Sequence, residues 1–329
     1  MTVQVDLSVD VVICTYDLAR WDLLVRAVES VHAQSVRPGR LIICVDHNRE
    51  LFERAMTTWG GDQRTTTVVV ENAFAGRLGS ARNTGLLRCV SDVVAFLDDD
   101  ASAAPDWLAR LLDVYRSQPH AMAVGGAPRP DYAAARPEWF PPDYDWVFGC
   151  HYLGLPNHRE PVRHLIGANM SARLDPLLAV GGFHADNHDD MDLSHRLAHH
   201  HGPDAVVYEP KAEVHHHVSA QRLTWSYFWR RCFFVNRGKV GAFADMGEAG
   251  NLGAELRFGM RVLGNTGRGL VALLRGNRAR FLQTQAAAAG LAFAVCGHVV
   301  GRIEHAFGRR TPVLTEGLRA QLVSAERSG

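Results

Sequence analysis

The chain has 329 residues, of which 47% are hydrophobic and 21% charged, a composition typical of a folded globular protein rather than a disordered one. Lysine plus arginine and aspartate plus glutamate each number 35, so the net charge gives no support for a nucleic-acid partner. The six cysteines form no CxxC pair, which favours a reduced, cytoplasmic protein. No basic segment followed by an apolar one opens the chain, so we expect no signal peptide.

Four apolar runs in the first hundred residues predict strands that are buried on both faces. These runs occupy residues 9–17, 41–48, 65–72 and 92–100. Helical spacing of apolar residues in 20–34 and 79–90 predicts helices between them. Strands that alternate with helices imply a mostly parallel sheet with right-handed crossovers, and therefore an α/β fold.

Each of the four predicted strands ends in polar residues. The clusters are Thr15, Tyr16 and Asp17; Asp46, His47 and Asn48; Glu71 and Asn72; and Asp98, Asp99 and Asp100. Ligands of open α/β sheets bind beyond the carboxyl ends of the strands. Four polar clusters at one edge therefore predict a binding site there.

Three consecutive aspartates end the fourth run, and nothing basic lies within the stretch to pair with them. Mg²⁺ and Mn²⁺ prefer oxygen ligands and are often held by one or two carboxylates together with substrate phosphates. Asp98 and Asp100 are therefore candidate metal ligands. The alternative is a solvated turn before a helix, which would also tolerate adjacent carboxylates.

A second acidic group, Asp189, Asp190 and Asp192, precedes a helical pattern, where acids commonly complement the helix dipole. A carboxylate held in a cleft at this point could instead serve as a general base. The histidines at 215–217 lack familiar zinc spacing, but one of them could reach a metal near the aspartates.

The segment GRLGSARNTG, residues 76–85, is a glycine-rich turn that leads into a predicted helix with two arginines nearby. It matches neither the phosphate loop GxxxxGK[ST] nor the dinucleotide fingerprint GxGxxG. Backbone amides at a helix N-terminus can cradle a diphosphate. A tight turn with solvent-facing arginines is the alternative interpretation.

In combination these motifs resemble family 2 glycosyltransferases of the GT-A fold. VVICTYD, VDHN, GRLGSARNTGL, FLDDDA, GANMSAR, GGFHADNHDDMDLSHRL and EVHHH occur in the family's order, over roughly residues 8–240. The resemblance implies a GT-A fold and inverting transfer of a sugar from a nucleotide-sugar donor, UDP-, GDP- or dTDP-linked, to an acceptor hydroxyl. It also implies assistance by Mg²⁺ or Mn²⁺.

The resemblance carries roles to particular positions. It implies nucleotide-sugar contacts for Thr15, Asp17, Asp46, Arg82, Asn83, Asp98 and Asp99. It implies metal contacts for Asp100 and His216, and a general base at Asp190. Asp189 stands where the family usually has glutamate, a departure that bears on acceptor positioning.

Residues 128–161 contain seven prolines and an aromatic run that includes Trp139 and Trp146, so they predict a long irregular insertion. Aromatic faces suit sugar rings and prenyl chains alike, and we expect this insertion to line the acceptor side. The acceptor could be a glycan, a lipid-linked molecule or a small molecule.

Beyond residue 245 the sequence becomes rich in glycine, alanine, leucine and arginine with helical patterns. We predict a catalytic domain at 1–245 and a helical extension at 246–329. The apolar stretch 286–300 is about 15 residues long, short of the roughly 20 that a spanning helix needs. Peripheral contact with the inner face of a membrane and an ordinary helical cap are the two interpretations.

Two other functions are open on the sequence alone. A non-catalytic nucleotide-sugar or glycan-binding module would share the fold but need no general base. A sugar nucleotidylyltransferase would share the fold and the metal, but it normally has a GGxGTR-type loop after the first strand, where this chain reads CTYDLAR.

Overall fold

The computed structural model describes residues 6–75, 77–184, 188–245, 253–308 and Leu318, and this part of the chain forms nine strands and nine α-helices. The strands are β1 (Val9–Thr15), β2 (Arg40–Val45), β3 (Thr66–Glu71), β4 (Val93–Asp98), β5 (Ala101–Ala103), β6 (Ala123–Tyr132), β7 (Glu160–Pro161), β8 (Asn169–Arg173) and β9 (Val206–Val218). The helices are α1 (Trp21–His32), α2 (Arg49–Trp59), α3 (Leu78–Leu86), α4 (Trp107–Ser117), α5 (Leu174–Ala179), α6 (Asp189–His201), α7 (Trp225–Asp245), α8 (Gly253–Leu274) and α9 (Arg278–Ala306).

All nine strands belong to one mixed sheet, in the order β3-β2-β1-β4-β8-β6-β9-β5, with β7 paired to β9. The four predicted strands form its parallel half, β3-β2-β1-β4. The antiparallel half was not predicted: β8 runs antiparallel to β4 and β6, and β9 runs antiparallel to β5 and β7. The α/β class is confirmed, and the sheet is mixed rather than mostly parallel.

The parallel half has a hydrophobic core on each of its two faces. Because successive side chains of a strand point to opposite faces, Val11 and Ile13 of β1 enter one core, with helix α1. Val12 and Cys14 enter the other, with helix α3. Burial on both faces explains why β1, β2 and β4 are continuously apolar in the sequence. The prediction of burial on both faces is wrong for β3, an edge strand of the sheet with no buried residue.

The described chain divides into two compact units. The first contains the described residues of Met1–Arg129 and Pro156–His216, together with Leu318, and the second contains Pro130–Leu155 and the described residues of His217–Val313. The predicted domain boundary at residue 245 does not coincide with this division and stays a prediction.

The second unit has a core of its own, built from aromatic rings and helices α7, α8 and α9. Part of the predicted irregular insertion is a short 3₁₀ helix, Pro142–Phe148, whose rings pack into this core. Helix α9 approaches α7 so closely at Gly297 that a Cβ there would overlap the Phe233 carbonyl oxygen. Its 29 residues run well beyond the 15-residue apolar stretch that the sequence suggested.

Helix α9 is also the single helix, among the described residues, that is long and apolar enough to cross a membrane. The core helix of a helical bundle meets the same criterion, and α9 packs along both α7 and α8. Length and composition therefore do not by themselves assign α9 to a membrane.

A buried hydrogen-bond chain connects α4, β8 and β9 in the first unit. Trp107 Nε1 donates to Asn169 Oδ1 at 2.8 Å, and Asn169 Nδ2 donates to the Ala212 carbonyl at 2.8 Å. Gly126 of β6 lies against the same carbonyl, so closely that a Cβ at Gly126 would overlap its oxygen. Glycine is therefore required where β6 passes this junction.

We expect Gly126→Ala to lower the free energy of unfolding by about 3 kcal/mol, since overpacking against a fixed backbone atom costs this much or more. Urea denaturation followed by circular dichroism would measure the change. Gly61→Ala is the matched control, because a Cβ at Gly61 meets no atom within 4 Å. Equal stability of the two variants would contradict the close approach.

Candidate active site

The candidate site lies at the carboxyl end of β4, where the three consecutive aspartates follow the strand. β5 begins immediately after them and pairs antiparallel with β9, so that Ala101 stands opposite His216. Along β9 the side chains alternate between buried and exposed: His216 is buried, while His215 faces solvent. The pairing of β5 with β9 therefore brings one histidine of the three beside the aspartates.

Asp98, Asp100 and His216 form a cluster whose ligand atoms all lie within 4.8 Å of one another. His216 Nε2 is 3.1 Å from Asp100 Oδ1, and both side chains are buried. Two neighbouring ligands of an octahedral ion with bonds of about 2.1 Å are separated by about 3 Å. The donor set and its spacing thus fit a small divalent cation.

Arg20, which follows β1, contacts the two buried aspartates of the triplet. Its guanidinium lies 2.9 Å from Asp99 Oδ1 and also contacts Asp100 Oδ2. Thr15 Oγ1 donates to Asp99 Oδ2 at 2.8 Å. Burial raises the pKa of the Asp99 carboxyl to about 7; Arg20 opposes this rise and Asp100 adds to it.

Arg82 makes a second, similar bridge from helix α3. Its Nη2 donates to Asp98 Oδ1 at 3.1 Å and to the Gly167 carbonyl at 2.8 Å, and its Nη1 donates to Asp189 Oδ2 at 2.8 Å. The guanidinium is only 2% exposed. Burial raises the pKa of Asp189 to about 7, and the nearby Asp190 and Asp98 carboxylates raise it further against the influence of Arg82.

Asp190 differs from its neighbour Asp189 in its surroundings. Asp189 is 5% exposed and is held by Arg82, whereas Asp190 is only partly buried. Asp190 Oδ2 accepts from the Gly167 backbone N–H at 3.0 Å, and its Oδ1 accepts from Met191 N at 2.8 Å. The carboxylate is thus oriented by backbone donors while part of it remains open to solvent.

The cluster contains more carboxylates than cationic side chains. Its aspartates are Asp98, Asp99, Asp100, Asp189 and Asp190, and its arginines are Arg20 and Arg82. Each arginine faces two carboxylates, so the group carries an excess of negative charge when all of its acids are ionised. Burial is the main cause of the raised pKa values of Asp99 and Asp189, and the neighbouring carboxylates add to it. A bound divalent cation would relieve the excess of negative charge.

Two other predicted nucleotide contacts, Asp46 and Asp17, lie in polar networks of the same unit. Asp46 accepts from Asn72 Nδ2 at 2.7 Å and keeps part of its side chain exposed. Asp17 caps the short helix that contains Arg20, accepting from Ala19 N at 2.9 Å. Nucleotide binding by these residues stays a prediction.

Asn83 is fully buried in helix α3. Its amide nitrogen donates to the Phe183 carbonyl, and its amide oxygen accepts from Phe183 N, both at 2.8 Å. The side chain therefore fixes the approach to helix α6, which follows Phe183 along the chain. Its predicted nucleotide contact is untested.

The two tryptophans predicted for the acceptor side lie in the second unit. Trp139 packs against Trp225 and Phe228, with ring centroids 5.3 and 5.6 Å apart, and Trp146 packs against Tyr144 at 5.9 Å. Both therefore contribute to the aromatic core of that unit. Their contact with an acceptor stays a prediction.

Two residues of the site, Arg20 and Gly167, were not predicted from the sequence. Arg20 comes three residues after Asp17. A basic residue so close to a predicted acidic site was the feature of the sequence that could have identified it. Gly167 opens the GANMSAR segment, and its two backbone groups serve Arg82 and Asp190. Backbone contacts of this kind leave no recognisable pattern in a single sequence.

Fold and site together define a glycosyltransferase, and comparison with known proteins identifies the family. The family model described as Glycosyl transferase family 2 matches residues 10–178, which include β1 and β4 with the aspartates that follow it. The chain therefore belongs to glycosyltransferase family 2, as the order of its motifs predicted.

Named relatives agree with this assignment. The chain is 34% identical over 243 residues to the glucosyl-dolichyl phosphate glucuronosyltransferase of Haloferax volcanii, which covers 71% of this chain and 76% of that protein. It is 26% identical over 235 residues to the succinoglycan biosynthesis protein ExoM of Rhizobium meliloti, covering 69% and 72% of the two chains.

Among solved structures, the fold resembles the mannosyltransferase PcManGT from Pyrobaculum calidifontis, determined in complex with GDP-Man and Mn²⁺. The TM-score is 0.59 at 17% sequence identity, and the match covers 88% of this chain and 87% of that one. This similarity confirms the predicted GT-A fold.

We expect Asp189→Asn to make the metal-free protein more stable than the wild type at pH 8, and more stable by a smaller margin near pH 5. The raised pKa of Asp189 means that its contribution to stability is complete below about pH 4 and is lost as the pH rises through about 7. An amide cannot ionise, so the variant avoids a loss on the order of 3 kcal/mol.

Urea unfolding in EDTA at the two pH values would measure this difference. Asp92→Asn is the control, because hydrogen bonds from Ser8 lower the pKa of Asp92 and keep it ionised at both pH values. That variant should lose equal stability at pH 5 and pH 8. If Asp189→Asn were less stable than the wild type at pH 8, the prediction would be contradicted. Arg82 would then fully offset the cost of burying the ionised carboxylate.

Proposed function

We propose that the chain transfers a sugar from a nucleoside-diphosphate sugar to an acceptor hydroxyl, with inversion and with a divalent cation, and that Asp190 is the general base. The observation that carries this proposal is the acidic cluster at the end of β4. It contains three potential cation ligands and an excess of carboxylates over arginines. A site of this composition suits a donor that brings phosphate charge and a metal together.

The proposed cation ligands are Asp98, Asp100 and His216, as their spacing supports. When bound, Mg²⁺ or Mn²⁺ supplies positive charge that stabilises the diphosphate leaving group. Asp100 is the ligand that the surrounding protein orients most completely, since Arg20 contacts one of its oxygens and His216 lies beside the other.

Arg82 is proposed to act on the leaving group as well. Its guanidinium is held by Asp98, Asp189 and the Gly167 carbonyl, and it pays little entropy on donor binding because it is already fixed. A cation preorganised in a buried site interacts more strongly with developing negative charge than one exposed to water.

Asp190 is favoured over Asp189 as the base for two reasons. Asp189 is buried against Arg82, and its raised pKa disfavours the ionised form that a base requires. Asp190 is partly exposed and is oriented by the N–H groups of Gly167 and Met191. A fixed, accessible carboxylate can accept the proton of an acceptor hydroxyl during displacement.

The relatives suggest which substrates to try first. The Haloferax volcanii protein is named for transfer of glucuronate to a glucosyl-dolichyl phosphate, and PcManGT was solved with GDP-Man. We propose a UDP-, GDP- or dTDP-linked donor and, for the acceptor, a lipid-linked glycan in preference to a free glycan or small molecule. Trp139, Trp146 and Asp189 remain the proposed acceptor-side residues.

We also propose that the enzyme works in the cytoplasm at the inner face of a membrane. The six cysteines, all of which lie in the described residues, form no disulfide bond, and four of them are buried. Buried cysteines without disulfides are the usual state in a reducing compartment. A lipid-linked acceptor would in turn bring the enzyme to a membrane surface.

We expect release of nucleoside diphosphate from one donor of a panel of UDP-, GDP- and dTDP-sugars, including UDP-glucuronate and GDP-mannose. Release should require Mn²⁺ or Mg²⁺, stop with EDTA and fall at least about 100-fold in Asp100→Ala, since that variant removes a proposed ligand. Mn²⁺ titration calorimetry of the same variant should show weakened binding of the ion.

Asp106→Ala is the matched control, because the side chain of Asp106 is 46% exposed and pairs only with Arg110 among its described neighbours. It should release nucleotide like the wild type. Full turnover in EDTA would overturn the role of the cation. Cation and donor binding without turnover, with every acceptor class supplied, would favour the non-catalytic binding module.

We expect Asp190→Asn to lower kcat about 10²- to 10⁴-fold, which is the usual contribution of a positioned base, and to leave donor affinity within about twofold of wild type. Steady-state kinetics and donor calorimetry would separate the two effects. Asp175→Asn, at an exposed aspartate of helix α5, should change neither. Undiminished turnover in Asp190→Asn would exclude Asp190 as the base. A product that retains the anomeric configuration of the donor sugar would argue against direct displacement.

A further inference from the structure

The second unit carries an exposed apolar surface on helix α8. Leu256, Met260, Leu263, Val271 and Leu274, here called the apolar stripe, are each between 46% and 88% exposed. Their spacing places them on one face of a helix with 3.6 residues per turn. The opposite face of α8, with Val262 and Ala272, is buried. The stripe is therefore a second apolar face, directed away from the core that α8 helps to form.

Arginines accompany this stripe. Four exposed arginines are here called the arginine row. They are Arg257 of α8, Arg275 directly after α8, and Arg278 and Arg280 at the start of α9. In the described residues no carboxylate pairs with any of the four. Residues 256–303 contain seven arginines, at 257, 261, 268, 275, 278, 280 and 302, and no aspartate, glutamate or lysine.

The turn between α8 and α9 joins the two features. Leu274, the most exposed apolar side chain of the stripe at 88%, is followed directly by Arg275. Gly276 adopts a φ of 78°, which reverses the chain, and Asn277 caps α9 by accepting from Arg280 N. The turn thus presents one projecting leucine among three arginines.

From these observations we propose that the apolar stripe and the arginine row dock on a bilayer surface that contains anionic phospholipids. An amphipathic helix with leucine and methionine on one side and arginine beside them binds at such an interface through apolar burial and charge attraction together. The inference concerns a separate surface and does not depend on the proposed reaction.

Charge favours a lipid surface over a second copy of the chain. A two-fold contact between two copies through this face would bring arginine rows together, with no acid in residues 256–303 to separate them. A nucleic acid would meet the arginines but would leave the five apolar side chains in water. An anionic bilayer satisfies both features at once.

The test is flotation of the full-length protein with vesicles of phosphatidylcholine alone, and of phosphatidylcholine mixed with equal parts of phosphatidylglycerol. We expect binding to the mixed vesicles, little binding to the neutral ones, and weakening of the binding at high salt. The triple variant Arg257→Gln, Arg275→Gln, Arg278→Gln should bind more than tenfold more weakly, at about fivefold per arginine.

A second triple variant, Leu256→Ser, Leu263→Ser, Leu274→Ser, should also weaken binding at least about tenfold, because it removes the apolar part of the surface. The matched control is Arg49→Gln, Arg54→Gln, Arg110→Gln, which removes three exposed arginines of the first unit. This control should float like the wild type. Circular dichroism would verify that all three variants are folded.

Four results would overturn the proposal: absence of wild-type binding to the mixed vesicles, equal binding to neutral vesicles, wild-type binding by either triple variant, or loss of binding in the control. If sedimentation instead showed a dimer that the leucine variant dissociates, the face would be assigned to self-association. Resistance of membrane-bound protein to alkaline wash would indicate a spanning segment rather than surface docking.

Discussion

Five aspartates and two arginines meet at the carboxyl ends of β1 and β4, and their charges cannot cancel. Each guanidinium bridges carboxylates from different parts of the chain. Arg20 ties the segment after β1 to the turn after β4, and Arg82 ties α3 to β4 and α6. The same contacts that hold these elements together leave an excess of negative charge in a buried place. Raised carboxyl pKa values relieve that excess in the metal-free protein, and a bound divalent cation, as we propose, would relieve it as well.

This charge arrangement also divides the work between two adjacent aspartates. Asp189 and Asp190 are neighbours in one helix turn, yet Asp189 is enclosed with Arg82 while Asp190 keeps an open side and backbone donors. Different surroundings allow a protein to assign different roles to two residues of the same type. Here the buried acid positions an arginine, and the accessible one is the carboxylate that we propose as the general base.

The second unit shows a different balance of charge and apolar surface. Its helices enclose an aromatic core around Tyr144 and Phe228, yet α8 keeps an additional apolar face in solvent, beside arginines that pair with no carboxylate among the described residues. A face of this kind raises the free energy of the protein in water unless something covers it. The first unit carries the candidate site of a family 2 glycosyltransferase, and we propose that this face of α8 brings the enzyme to a membrane surface.

The sequence by itself determined the parallel half of the sheet, because strands buried on both faces must be continuously apolar and must end in polar residues. It also determined the family, through the order of its motifs, and it placed Asp98, Asp100 and Asp190 at the edge where ligands bind. Tertiary structure alone decided which histidine joins the aspartates, that Arg20 holds two of them, and that Asn83 is engaged with the Phe183 backbone. It also decided the antiparallel half of the sheet. The physical reason is the same in each case: these features depend on pairing between residues far apart in the chain, such as Ala101 with His216, and local periodicity carries no information about such partners.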